Sequence, residues 1–161
     1  FGVGTLLATG APDGALDGVY KLAESGGKPR LKLSENPAKT TLPGRKRTVR
    51  CRDAQGLFQA DVIAMEGESD IPVMVHPFEP GQSLALSDFK RADILVHVMA
   101  GGARLRSPEP VGQLAAYARK RLAALPAEHK RFENPHLYKV GLSVRLAALR
   151  DGLVRSHRKE A

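Results

Sequence analysis

The sequence predicts a mixed α+β chain, and three observations predict it. Residues 18–65 hold two candidate hairpins with glycine-containing turns, and valine, isoleucine and phenylalanine in the arms of the second favour strand. Residues Glu66–Pro72 are polar and aperiodic, which marks a boundary. The last third then switches to a helical period.

Element by element, Phe1–Thr9 reads as a buried strand end entering a glycine-containing loop, and Gly10–Gly14 as a turn-rich stretch. Gly18–Glu24 and Arg30–Leu33 form the arms of a hairpin around Ser25-Gly26-Gly27-Lys28, with the paired glycines supplying positive φ. Ser34–Gly44, with Pro37 and Pro43, is a loop. A second hairpin runs from Lys46–Cys51 to Leu57–Met65 through Asp53-Ala54-Gln55-Gly56. Val73–His76 adds a short strand limited by Pro77 and Pro80. Ile94–Met99 and Ala103–Arg106 flank Gly101-Gly102 as a third hairpin. Ser107 caps a helix with Pro108 at its first position, and Val111, Leu114, Ala115, Ala118 and Leu122 mark its apolar face. Leu142, Leu146, Leu149 and Leu153 mark a second helical face, and Asn134-Pro135 breaks the chain between the two.

The composition of the 161 residues excludes several classes. Hydrophobic residues at 42% and charged residues at 26% place the chain among globular proteins rather than disordered ones. No apolar run approaches the roughly 20 residues that span a bilayer, and no secretory signal opens the chain. The single Cys51 builds no disulfide framework, which fits a reducing cytoplasm. The absence of an initiator methionine before Phe1 suggests a partial chain. A formal charge of +8 raises the question of an anionic partner. The one dense basic cluster is Arg45, Lys46, Arg47, Arg50 and Arg52, with no tryptophan and only 5% aromatic residues to serve as a stacking platform. A solvated basic strand face, an anionic small molecule and nucleic acid all remain open for it, in that order.

The sharpest local feature is Phe1-Gly2-Val3-Gly4-Thr5. Its glycines permit close backbone approach, and the amides of Gly4 and Thr5 with the threonine hydroxyl suit phosphate oxygens, as in the loops at the strand ends of parallel barrels. A turn or packing role stands beside that reading. His76, His97, His129, His136 and His157 lack zinc-site spacing and read as structural or surface histidines. Glu66 and Glu68 read as solvated charges, and Ser34 and Ser143 lack a nucleophile elbow.

Longer blocks carry more. Phe1–Thr5 is followed by Leu16-Asp17-Gly18-Val19-Tyr20-Lys21-Leu22, Lys32-Leu33-Ser34-Glu35, Lys39-Thr40 and Pro43-Gly44-Arg45-Lys46. His76-Pro77, Lys130-Arg131-Phe132-Glu133-Asn134-Pro135-His136 and Tyr138-Lys139-Val140-Gly141-Leu142-Ser143 come later. In this order and spacing the set resembles the C-terminal part of bacterial nicotinate phosphoribosyltransferases, over essentially the whole chain. The resemblance implies the end of an irregular type II phosphoribosyltransferase α/β barrel over 1–67, followed by a sheet-and-helix C-terminal domain over 68–161. It implies an enzyme, usually a homodimer, that joins nicotinate to phosphoribosyl pyrophosphate to give nicotinate mononucleotide for NAD salvage. ATP hydrolysis is coupled through a phosphorylated histidine, and magnesium accompanies the phosphates.

The family motif places Gly4 and Thr5 on the phosphate of the phosphoribosyl group, with Gly2 shaping the loop. The family's phosphorylated histidine and its nicotinate-holding arginine and tyrosine have no counterpart in this chain. His76 and His136 therefore take no catalytic role, and Asn134-Pro135-His136 reads as a turn seating the last helix. The chain alone is expected to be inactive, whether as an enzyme fragment or as a purely structural or dimerisation domain. Its barrel strand near Phe1–Leu7 lacks neighbours and invites aggregation. A sister enzyme using nicotinamide or quinolinate, and a basic nucleic-acid-binding module, are the alternatives.

Overall fold

The computed structural model of this chain describes residues 4, 10, 20–36, 39–79 and 81–160. The expected strand over Phe1–Thr9 lies outside the described residues except for Gly4, and the turn-rich stretch after it except for Gly10. The first described element is a small hairpin, β1 (Glu24–Ser25) and β2 (Lys28–Pro29). Gly26 and Gly27 turn it at φ +57° and +70°, the left-handed pair that a two-residue hairpin demands.

The second hairpin is longer, with β3 (Lys46–Arg52) antiparallel to β4 (Phe58–Met65) and Val49 opposite Val62. Its turn is tied by Asp53, whose carboxylate accepts the Leu57 amide at 2.8 Å, while Gly56 takes φ +86°. Three further strands, β5 (Val73–Val75), β6 (Ser83–Ala85) and β7 (Lys90–Asp93), follow. A separate ribbon pairs β8 (Met99–Ala100) with β9 (Ala103–Arg104). Helix α1 (Val111–Ala123), a 3-10 turn (Ala127–Lys130), strand β10 (Lys139–Ser143) and helix α2 (Val144–Glu160) complete the chain.

Six strands form one sheet in the order β6-β5-β10-β4-β3-β7. Only β10 and β4 run parallel, Gly141 facing Val62, so residues 66–138 are a long crossover between neighbouring strands. The sheet is curled and incompletely closed, and with the helices after it gives the mixed α+β class and irregular-barrel character expected. The expected division at 67/68 falls in the turn after β4, and strands from both sides of it share this sheet.

Strand alternation assigns the two faces. Val49 and Cys51 of β3 and Ala60, Val62 and Ala64 of β4 point one way, and Ile71, Met74 and Leu86 of the crossover seal them. On the other face Leu142 of β10 packs with Leu146 and Ala147 of α2, bordered by Leu42, Ile63, Met65 and Val75. Burying a leucine such as Leu146 contributes about 1.5–3 kcal/mol, which holds α2 to the sheet.

Helix α2 begins where β10 ends, with no loop between them. Ser143 makes this possible, because its buried hydroxyl accepts the Leu146 amide at 3.2 Å as an N-cap and donates to Glu68 at 2.8 Å. Glu68 also accepts the Met65 amide at 3.1 Å. Glu68 is therefore a structural acceptor, where a solvated charge was expected.

Several expected boundaries move. Leu142 belongs to the strand rather than to the helical face of Leu146. Asn134, at φ +47°, turns the chain into β10 and so reaches the last helix only through that strand. Helix α1 starts at Val111 after Pro110, so Ser107 and Pro108 lie before it and supply no cap. The third hairpin shrinks to four paired residues, because Ile94–Val98 lie outside β8. Helix α1 buries none of its residues, and Val111, Leu114 and Leu122 face outward.

Two glycines make opposite predictions. A Cβ on Gly141 would stand 2.9 Å from the Val75 carbonyl oxygen and from Met74 Sδ, so Gly141→Ala should destabilise by about 1–3 kcal/mol. Gly152, inside α2, has open space around it, so Gly152→Ala should stabilise by about 0.5–1 kcal/mol. Urea unfolding midpoints of the two variants should move in opposite directions.

Candidate functional site

Gly4 is exposed, and no atom lies within 4 Å of where its Cβ would stand. Gly2 and Thr5 lie outside the described residues, so the loop proposed from the sequence is represented by Gly4 alone. The described residues form two other assemblies.

The first is a cleft of about 710 Å³ along β5 and β10, floored by Leu42, Ile63 and Leu142 and rimmed by His76, Tyr138 and Arg150. Its volume lies within the range of small-molecule sites. Its polar groups are largely committed. His76 Nδ1 accepts the amides of Phe78 and Glu79 at 3.2 and 2.9 Å, so the ring proton sits on Nε2 and the lone pair a base would need is spent. Arg150 donates to the Pro77 carbonyl at 2.6 Å and to Asp151 at 2.8 Å. His76 therefore shapes a turn, as expected of a structural histidine. His129 is also tied to backbone but in the opposite sense, its Nδ1–H donating to the His136 carbonyl oxygen at 2.7 Å, with its ring edge-on to Tyr138 at 5.6 Å.

The second assembly centres on Asp61, which is 8% exposed. Arg50 grips its carboxylate with two hydrogen bonds of 2.8 and 2.7 Å, and the Tyr138 hydroxyl donates to it at 3.1 Å. These bonds raise the Arg50 pKa, chiefly through the hydrogen bond to Asp61. Burial first, and the Asp61 charge second, push the Tyr138 phenol well above its usual range. Beside them lies Phe58, 3% exposed, with the guanidinium carbons of Arg50, Arg52 and Arg121 at 4.3, 5.3 and 5.5 Å from its ring centre.

The basic run of the sequence is thus dispersed. Arg45 pairs with Glu24 at 3.1 Å, and Arg47 lies 2.9 Å from Asp93. The Lys46 ammonium donates to the carbonyls of Leu42 and Gly44, and burial lowers its pKa. Cys51 is buried in the sheet, which raises its thiol pKa. Asp61, Phe58, Tyr138, Glu68 and Ser143 carry the architecture, and sequence reasoning missed all five. The one available signal was Asp61 itself, a carboxylate inside the apolar strand Phe58–Met65, because a buried charge demands a partner.

Among the described residues no group of three His, Cys, Asp or Glu is placed to hold a metal. No described helix is long and apolar enough to cross a membrane.

Comparison with known proteins adds a family. A family model described as the nicotinate phosphoribosyltransferase C-terminal domain matches residues 45–150. The nicotinate phosphoribosyltransferase of Bos taurus is 34% identical over 163 residues, covering 94% of this chain and 29% of the bovine protein. The Homo sapiens protein of that name is 34% identical over 157 residues, with the same coverages of 94% and 29%. The crystal structure of human nicotinic acid phosphoribosyltransferase superposes with a TM-score of 0.65 at 28% identity, over 84% of this chain and 26% of that one. The chain therefore spans 29% of the length of the bovine and human relatives it matches.

The Asp61 assembly makes a paired prediction. Asp61→Asn strands the Arg50 charge and should cost about 3 kcal/mol, whereas replacing both residues by apolar ones of similar volume should recover most of that loss. Chemical denaturation of the single and double variants measures both. Because the folded chain holds the Tyr138 proton more tightly than the unfolded chain, the stability this contributes is present below about pH 10 and is lost as pH rises above it. The Tyr138 phenolate absorbance, taken as the difference from Tyr138→Phe, should appear at higher pH in the folded chain than in urea.

Proposed function

The chain belongs to the nicotinate phosphoribosyltransferase family, and on that premise we propose that it is the C-terminal part of an enzyme joining nicotinate to phosphoribosyl pyrophosphate. The products are nicotinate mononucleotide and pyrophosphate, in NAD salvage, with ATP hydrolysis coupled to the synthesis. The observation that carries this reading is 34% identity to a nicotinate phosphoribosyltransferase over 94% of this chain. Residues 1–67 close the irregular barrel and residues 68–161 form the C-terminal domain. Gly4 and Thr5 grip the phosphate of the phosphoribosyl group.

The structure supports a part within a larger assembly. Val111, Leu114, Tyr117 and Leu122 of α1, with Leu95, Val96 and Val98 before it, expose apolar side chains along one stretch. A surface of this kind marks an interface, which suits a homodimeric enzyme whose relatives are more than three times as long. On this reading the 161-residue chain does not turn over by itself. Its carboxylates Asp53, Asp61 and Glu68 already serve internal donors, so they do not fit a magnesium or ATP site, and those ligands fall to the longer enzyme. The lone buried Cys51 is consistent with a cytoplasmic enzyme.

The relatives' names favour nicotinate over nicotinamide or quinolinate, and a product assay of the longer enzyme with the three bases separates these readings. The paired state of Arg45, Lys46, Arg47 and Arg50 argues against a nucleic-acid module. Thr5→Ala in the longer enzyme should weaken phosphoribosyl pyrophosphate binding about ten- to a hundredfold, the loss of a charge-assisted hydrogen bond. Unchanged affinity in a binding titration would remove the assigned role.

A further inference from the structure

One end of the sheet concentrates positive charge that the protein does not neutralise. Arg52 closes β3, Lys90 opens β7, and the two are direct partners in the antiparallel register. Directly opposed like charges destabilise a sheet unless something of opposite sign lies between them. Arg121, from the last turn of α1, brings a third cation to the same Phe58 ring that Arg52 stacks on.

None of the three has a carboxylate partner among the described residues. Asp61 is taken up by Arg50 and Tyr138. Asp53, the acid nearest in the chain, spends one oxygen on the Leu57 amide at 2.8 Å and the other on Gln59 Nε2 at 2.7 Å. Arg121 donates its Nε to the Tyr117 hydroxyl at 2.9 Å, a neutral acceptor. Arg52 Nε is enclosed and has no acceptor among the described residues. An enclosed guanidinium donor without an acceptor is a costly group, which water does not rescue as it does the exposed Lys90 ammonium.

Beside these groups, between the β3–β4 turn and β7, lies a cleft of about 230 Å³ lined by Arg52, Asp53, Gly56 and Lys90. That is smaller than the roughly 300 Å³ at which sites for drug-sized ligands begin, so it admits a small anion rather than a nucleotide. Guanidinium forks favour a tetrahedral oxyanion, and an ammonium adds a point charge to them.

We infer that this corner, Arg52 and Lys90 with Arg121 flanking Phe58, is a binding site for a small phosphoryl oxyanion, of the class of phosphate or pyrophosphate. The anion bridges the Arg52 guanidinium and the Lys90 ammonium and offsets the repulsion across the strands. This site uses none of the residues assigned to the phosphoribosyl group and stands or falls apart from that assignment.

The test is a titration of the 161-residue chain with inorganic phosphate and with pyrophosphate at constant ionic strength, followed by backbone amide shifts. Saturable shifts confined to residues 52–56 and 90–92 are expected for at least one of the two anions, with affinity falling about tenfold in both Arg52→Gln and Lys90→Gln. Lys90 is exposed, so its variant preserves the test if Arg52→Gln perturbs folding. Lys139→Gln, on the larger cleft, should bind like the parent chain. Absence of saturation with both anions, equal affinity in the parent chain and Lys90→Gln, or the same shifts with chloride at matched ionic strength would overturn the site.

Discussion

The Asp61 carboxylate is the constraint around which the sheet is organised. A charge so deeply placed is tolerated only with partners, and its two partners come from separate parts of the chain. Arg50 approaches from the neighbouring strand β3, and Tyr138 from the entry to β10, 77 residues away in sequence. The same carboxylate thus fixes the register of the β3–β4 hairpin and the point at which the long crossover rejoins the sheet. Closing so long a crossover costs entropy that a single pair of short strands repays poorly. A second buried tie, Ser143 to Glu68, spans 75 residues and locks the far end of the same strand. Between these two bonds β10 is held along its length, and α2 follows because Ser143 also caps it.

The two faces of the sheet then diverge in character. One is sealed by the crossover through Ile71, Met74 and Leu86 and needs nothing further. The other is covered by α2 over only part of its width, leaving the cleft beside β5 and β10 open. Helix α1 is tied to the sheet through the Phe58 amide, which donates to the Ala124 carbonyl at 2.8 Å, and through Arg121 on the Phe58 ring. Its apolar positions remain outward. An unburied apolar helix face suits the proposed place of this chain within a longer protein, because the chain matches 29% of the length of its bovine relative.

Legibility followed distance along the chain. The turns at Gly26-Gly27 and at Asp53–Gly56 were readable because turn chemistry is local, but the arms expected up to Glu24 and over Arg30–Leu33 reduce to Glu24–Ser25 paired with Lys28–Pro29. Strands β6 and β7 were not readable, since three or four residues with exposed or polar side chains show no alternation, and Lys90–Asp93 is exposed throughout. Strand β10 was hidden for another reason. Lys139–Ser143 runs into helical sequence without a break, so Leu142 fell into the helical repeat of Leu146 and Leu149. The candidate loop at Gly4 and Thr5 was legible only as part of an ordered set of motifs, since two glycines and a threonine alone specify no ligand.

By itself the sequence determined the mixed class, the two principal hairpins, the existence of the two terminal helices and, through its ordered motifs, the family. These rest on local backbone preference and on residue order, both of which are written along the chain. Tertiary structure alone decided how charge is distributed. Of the five basic residues clustered between Arg45 and Arg52, four (Arg45, Lys46, Arg47 and Arg50) find separate partners within the protein. Arg52 instead joins Lys90 and Arg121, its neighbours only in space. Pairing between strands sets which charges meet, and no reading along a single strand contains that information.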